Sequence, residues 1–108
     1  MSEIDTKNMS AFSICALVSD MPGSLREIGK RIGRSKGYVS TLRAISRDAS
    51  RELLEEWGAG TISFELVRLI ASESGPKQLE LLRGYLERAG EGRKERGAAR
   101  AWVMGELE

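Results

Sequence analysis

The apolar residues of this chain recur at helical spacing, in short blocks parted by glycine, proline and serine, and never in the strict alternation of a strand. The first block predicts a helix over 9–21, with Phe12, Leu17, Val18 and Met21 turned inward, ended by Pro22-Gly23. Ser24-Leu25-Arg26-Glu27 then forms a capping box: the Ser24 hydroxyl takes the Glu27 amide, and the Glu27 carboxylate reaches back. The helix begun there stops at Gly33, where glycine adopts a backbone conformation other residues resist. Ser35 or Arg34 opens the next helix, which runs to about residue 45.

Further along, 48–57 predicts a helix with Ala49, Leu53, Leu54 and Trp57 on one side, broken by Gly58-Ala59-Gly60. Ser63 is the expected N-cap of a helix over 64–73 with the stripe Leu66, Val67 and Ile70. Gly75-Pro76 introduces a helix over 77–89 with Leu79, Leu82, Tyr85 and Leu86 inward. Gly90-Glu91-Gly92 reads as a hinge before a last helix, about 93–107, bearing Ala98, Ala99, Trp102, Val103 and Leu107. Residues 1–8 are polar and expected to be loose. The fold class is therefore all-α: a small multi-helix domain built around a helix-turn-helix. Its expected parts are an N-terminal arm and helix (1–22), the helix-turn-helix domain (23–90) and a C-terminal helix (91–108) that serves as a dimerisation element.

The helix-turn-helix reading rests on five apolar or small residues, Ile28, Gly29, Ile32, Val39 and Leu42, placed where two short helices must touch across a glycine turn. Such a motif lays its second helix in the major groove of DNA. Two glycines in one short helix cost about 1 kcal/mol each relative to alanine if interior. Gly29 makes sense where the helices cross closely, and Gly33 as the turn.

Charge strengthens this reading. The chain as a whole carries +1, but residues 23–51 hold eight basic residues (Arg26, Lys30, Arg31, Arg34, Lys36, Arg43, Arg47, Arg51) against Glu27 and Asp48, a local +6. Flanking segments of −2 and −3 restore the total. A concentrated cationic segment is what a phosphate-contacting surface requires.

On a helical wheel, Tyr38, Val39, Leu42 and Ile45 gather on one side of the second helix, with Ser35 beside them. The opposite side presents Lys36, Gly37, Ser40, Arg43, Ala44 and Arg47, small at its centre and cationic at its flanks. A small centre lets the backbone approach base edges, Ser40 bonds any base, and Lys36 or Arg43 reaches guanine acceptors. Arg34 and Arg47, at the ends, suit phosphates, and the first amides of the helix add an anion contact. The expected DNA-binding residues are Arg34, Ser35, Lys36, Gly37, Ser40, Thr41, Arg43 and Arg47.

Other chemistry finds little footing. Histidine is absent and Cys15 is the only cysteine, so neither a zinc site nor a Cys–His nucleophile is expected, and Cys15 in its apolar run reads as a buried structural thiol. No cofactor, metal or enzymatic activity is expected, and Glu52, Glu55 and Glu56 read as a solvated helix face. The longest apolar run falls far short of the roughly 20 residues of a membrane span, and the acidic N-terminus is no signal peptide, so a cytoplasmic, nucleoid-associated protein is expected.

The run from Ser24 to about Ile70 resembles the central DNA-binding domain of the ParB/KorB family of plasmid and chromosome partition proteins. The residues that carry the likeness are, in order, Ile28-Gly29, Ile32-Gly33-Arg34-Ser35, Tyr38-Val39-Ser40, Glu52-Leu53-Leu54 and Gly60-Thr61-Ile62-Ser63. The resemblance implies binding to an operator or centromere-like site as a dimer. It also implies that helices after the motif help to read sequence, with Arg51, Ser63 and Arg68 as secondary candidates. The upstream nucleotide-binding domain of partition proteins has no counterpart in the 23 residues before the motif, and Arg93 to Arg100 is only superficially like its arginine-rich box. CTP binding, clamp sliding and ParA stimulation are therefore not carried over.

The last helix supplies the expected dimer contact through Trp102, Val103 and Leu107, with the alternative that it folds back on its own core. A two-fold dimer sets two recognition helices roughly 34 Å apart on an inverted repeat. The expected function is a sequence-specific double-stranded DNA-binding regulator, a repressor of a plasmid, phage or other mobile element, acting as a homodimer without membrane partners. The alternatives are a partition-type centromere binder and a protein-interaction adaptor that has lost DNA binding.

Overall fold

The computed structural model describes residues 3–90 and 93–108, and within them the chain is all-α, with seven helices and no strand. The helices are α1 (Ala11–Ser19), α2 (Leu25–Ile32), α3 (Lys36–Asp48), α4 (Arg51–Gly58), α5 (Phe64–Ala71), α6 (Gly75–Arg88) and α7 (Arg93–Leu107). Glu91 and Gly92 of the expected hinge lie outside the described residues.

Serine opens each of the first six. Ser10, Ser24, Ser35, Ser50, Ser63 and Ser74 each accept the amide three residues on, that of Ser13, Glu27, Tyr38, Leu53, Leu66 and Lys77. A side-chain oxygen in that place satisfies one of the amides a helix start leaves orphaned, worth about 1 kcal/mol against alanine. These caps correct several expected boundaries. Helix α1 starts at Ala11, α4 at Arg51 behind Ser50, and α6 at Gly75 behind Ser74, while α3 continues past Ile45 to Asp48.

The chain divides into two units, Met1–Asp48 and Ala49–Glu108. The first contains α1, α2 and α3, with α1 and α2 both packed on α3. Its core is Ile14, Cys15, Val18 and Met21 from α1 and its exit, Ile28 and Ile32 from α2, and Val39, Leu42 and Ile45 from α3. Phe12 and Leu17, expected inward, are half-buried. The stripe of α1 is centred on Ile14, Cys15 and Val18, and these two flank it on either side. The Cys15 thiol donates to the Leu42 carbonyl at 3.4 Å, and burial pushes its pKa above the ordinary thiol value.

The second unit holds α4 to α7. Leu53, Trp57, Ile62, Leu66, Val67, Ile70, Leu81, Leu82, Tyr85, Ala99 and Val103 fill its interior. Trp57 stacks on Phe64 with ring centres 5.7 Å apart. Helix α7 packs on α6, which is the fold-back arrangement. Leu86, expected inward, is exposed and Leu79 is half-buried, while Gln78 is buried. Burying an amide demands partners. Gln78 has them: Oε1 accepts the Ser50 amide at 2.7 Å, and Nε2 donates to the Ala71 and Glu73 carbonyls. One side chain thus ties the start of α4 and the end of α5 to α6.

Candidate nucleic-acid interface

Between α2 and α3 the chain turns in three residues, Gly33, Arg34 and Ser35. Gly33 takes φ +70°, the left-handed region, and the Arg34 amide closes back on the Gly29 carbonyl at 2.9 Å. Gly29 faces this turn directly. A Cβ there would stand 2.6 Å from the Arg34 carbonyl oxygen, so a side chain is excluded by backbone rather than by a yielding neighbour. The two helices meet at the one residue type that lets the turn pass.

The buried side of α3 is Val39, Leu42 and Ile45, at 0%, 0% and 2% exposure. Each such side chain withdrawn from water is worth about 1.5–3 kcal/mol, which fixes the rotation of the helix about its axis. What then faces outward is determined: Lys36, Gly37, Ser40 and Arg47 are exposed, with Thr41, Arg43 and Ala44 half-buried beside them. Nothing lies within 4 Å of a Cβ built on Gly37, so the fold makes no demand for glycine there.

The side chains on this face differ in what already holds them. Among the described residues no group bonds the Lys36 ammonium or the Ser40 hydroxyl. Thr41 turns its hydroxyl back to the Gly37 carbonyl at 3.0 Å, and Ser35 caps its own helix. Arg47 forms a two-point pair with Asp48 at 2.8 and 2.9 Å, exposed to solvent. That hydrogen bond draws the Asp48 carboxyl below its ordinary pKa and raises that of the guanidinium.

Two expected contact residues already have partners within the first unit. Arg43 donates to the Met21 carbonyl, locking the exit of α1 to α3, and its Nε is buried without a partner among the described residues. Arg34 donates from Nε and Nη2 to the Thr6 hydroxyl and carbonyl at 3.2 and 3.1 Å, with its guanidinium 5.2 Å from the centre of the Tyr38 ring. Periodicity along α3 places a guanidinium on a face but does not say which distant carbonyl it will find.

Thr6 corrects the expectation of a loose N-terminal arm. It is 3% exposed and donates to the Ile32 carbonyl at 2.7 Å, while the Ile4 amide donates to the Arg31 carbonyl. The arm thereby satisfies carbonyls that the end of α2 would leave orphaned. Only the isolated apolar Ile4 hints at this in the sequence. The recess beside the arm, about 620 Å³, has Glu3 and Asp5 on its wall as well as Lys7 and Arg34, so its charges balance.

The secondary candidates sit in the second unit. Arg51 on α4 pairs with Glu55 at 3.0 Å, Ser63 caps α5, and Arg68 is exposed on α5. Of the expected dimer residues, Val103 is fully buried, Trp102 packs against α6, and Leu107 is half-buried. No group of three or more acidic or cysteine side chains among the described residues is placed to hold a metal ion. No helix among them is long and apolar enough to cross a membrane.

No family model, curated protein or solved structure matches the chain.

Proposed function

We propose that this protein binds double-stranded DNA in a sequence-specific manner, with α2 and α3 acting as a helix-turn-helix and α3 entering the major groove. The observation that carries the reading is the outward face of α3. Exposed Gly37 and Ser40 and half-buried Ala44 make a low centre, Lys36 and Arg47 flank it, and the opposite face is sealed in the core. Lys36 and Ser40 are the base-reading candidates, since neither is engaged by a described residue. Arg47 reaches a phosphate by exchanging Asp48, an exposed partner of the kind worth about 0–1 kcal/mol.

The likeness to ParB/KorB DNA-binding domains supports the same reading, and with it action as a repressor on a plasmid, phage or other mobile element, located at the nucleoid. An inverted-repeat operator calls for two copies of the chain. Trp102 and Leu107 keep part of their surface for such a contact, and Val103 keeps none. A partition-type centromere binder would use the same face.

The adaptor reading draws on a specific observation too: Arg34, Arg43 and Arg47 already have partners within the chain. Selection of duplexes from a random pool at near-physiological salt separates the two. Enrichment of an inverted repeat, with affinity that falls steeply as salt rises, supports the DNA reading. Absence of any bound duplex at low salt moves the adaptor to first place.

A further inference from the structure

Arg34 stands at the corner of the α2–α3 turn, between the left-handed Gly33 and the cap Ser35, and both of its ends are fixed. Its amide is bonded to the Gly29 carbonyl at 2.9 Å, and its own carbonyl oxygen fills the space that a Cβ on Gly29 would need. Its guanidinium is held by one residue of the N-terminal arm: Nε donates to the Thr6 hydroxyl at 3.2 Å and Nη2 to the Thr6 carbonyl at 3.1 Å. The Thr6 hydroxyl commits its proton to the Ile32 carbonyl at 2.7 Å, so it offers Arg34 a lone pair with a set direction. Thr6 is 3% exposed, and the Ile4 amide, bonded to the Arg31 carbonyl, pins the arm two residues earlier. The Tyr38 ring lies under the guanidinium, its centre 5.2 Å from Cζ. Yet only one edge of the guanidinium is taken, the edge of Nε and Nη2. The other edge, Nη1 with the second hydrogen of Nη2, bonds no described residue and is open to solvent. Glu3 and Asp5 share the recess beside the arm, but among the described residues no carboxylate forms an ion pair with Arg34.

We infer that Thr6 is a positioning residue for DNA binding: the arm grips Arg34 by one edge, and the free edge is presented, already oriented, to a phosphate of the duplex backbone beside the groove that α3 enters. Two parallel N–H groups on that edge match two phosphate oxygens. The inference rests on the reading of α2 and α3 as a helix-turn-helix. Freezing a loose arginine on binding costs about two- to tenfold in affinity, and here that freedom is gone before DNA arrives. A phosphate contact carries no base information, so it adds affinity and register rather than sequence preference.

The test is a double-mutant cycle on the full chain, with binding to duplex DNA followed across a salt series below the melting temperature of the least stable variant. Arg34→Ala should weaken binding by about three- to tenfold and make the salt slope shallower by about one. Thr6→Val, which removes the hydroxyl and keeps the shape, should weaken binding by about two- to fivefold in the parent and not at all in Arg34→Ala. Thr6→Ser should bind as the parent does. A Thr6 that only supports the fold would weaken binding equally with and without Arg34, and that additive result overturns the inference. So does a Thr6→Val chain that binds as well as the parent or better. Arg34→Lys keeps the charge but has no edge for Thr6, and should retain the slope while losing affinity; a lysine chain as tight as the parent also overturns the inference. A readout without DNA separates the two readings. The Arg34 Nε–H resonance should exchange slowly in the parent and in Thr6→Ser, and fast in Thr6→Val. Fast exchange in all three overturns the inference and leaves the DNA reading standing. Slow exchange in a parent that binds no duplex at low salt overturns the DNA reading, and the inference with it.

Discussion

The indole of Trp102 lies against the bare backbone of Gly84. A Cβ at position 84 would meet three ring atoms, with Cζ2 at 2.8 Å and two others closer still. Arg88, whose Nη1 donates to the Gly84 carbonyl at 3.0 Å, sets its guanidinium 4.0 Å from the ring centre. The glycine in the interior of α6 is thus the seat of a side chain from α7, and Trp102 keeps only part of its surface outside that seat. Gly84→Ala should lower stability by about 1–3 kcal/mol, overpacking outweighing a helix-propensity gain of about 1 kcal/mol. Urea unfolding measures this, and Trp102→Ala in the same chain should recover part of the loss. An alanine variant more stable than the parent would show that the ring is not seated there.

Gly37 offers the opposite case. Open space surrounds it in α3, so Gly37→Ala should leave stability unchanged or raise it by up to about 1 kcal/mol. Duplex binding should nevertheless weaken, because a methyl group intrudes where the backbone approaches the base edges. Paired melting and binding curves check this, and equal binding by the alanine variant would remove α3 from the groove.

Lys36 and Arg43 share a face by periodicity, but Arg43 is held by the Met21 carbonyl and Lys36 is not held by any described residue. Lys36→Ala should weaken binding to a selected site by about 1–3 kcal/mol if it touches a base, with no change in melting. Arg43→Ala should instead cost about 1–3 kcal/mol of stability, since it removes a charged, part-buried donor from the Met21 carbonyl. A reversal of these two outcomes would reverse the assignment.

Gly29→Ala places its new methyl 2.6 Å from the Arg34 carbonyl oxygen and should destabilise the first unit, by about 1–3 kcal/mol. The effect should appear as loss of amide-exchange protection across α2 and α3.

The Cys15 thiol should react slowly with a disulfide reagent in the folded protein and rapidly in denaturant, since only the thiolate attacks and burial disfavours it. Its pKa is raised in the folded state. Its contribution to stability is therefore complete below the ordinary thiol pKa and is lost as pH rises through the folded value. Alkaline melting curves of the parent and Cys15→Ala should converge in that range.

Much of this was legible because its causes are local. The capping box at Ser24, the stop at Gly33 and the stripe Val39, Leu42 and Ile45 each need only a few neighbouring residues to declare themselves. Ser10, Ser50 and Ser74 were harder to read, since they have neither an acidic residue three places on, as Ser24 has, nor a glycine break shortly before them, as Ser35 and Ser63 have. Gln78, Thr6, Arg34 and Arg43 were illegible for a different reason. Each answers to orphaned carbonyls brought close by tertiary packing, 5 to 28 residues away along the chain. The outward face of α3 could be written down from the sequence, but which of its cations were already committed could not.

The serine caps bear on how quickly this chain reaches its shape. A helix is hard to begin because several dihedrals must be fixed before the first bond repays them. Here each of the first six beginnings carries a bond spanning three residues, formed without waiting for any distant segment to arrive. Helices of eight residues such as α2, α4 and α5 are still completed only by packing, and chains dominated by short-range contacts fold in microseconds to milliseconds. A half-made chain of this design exposes its apolar stripes only briefly.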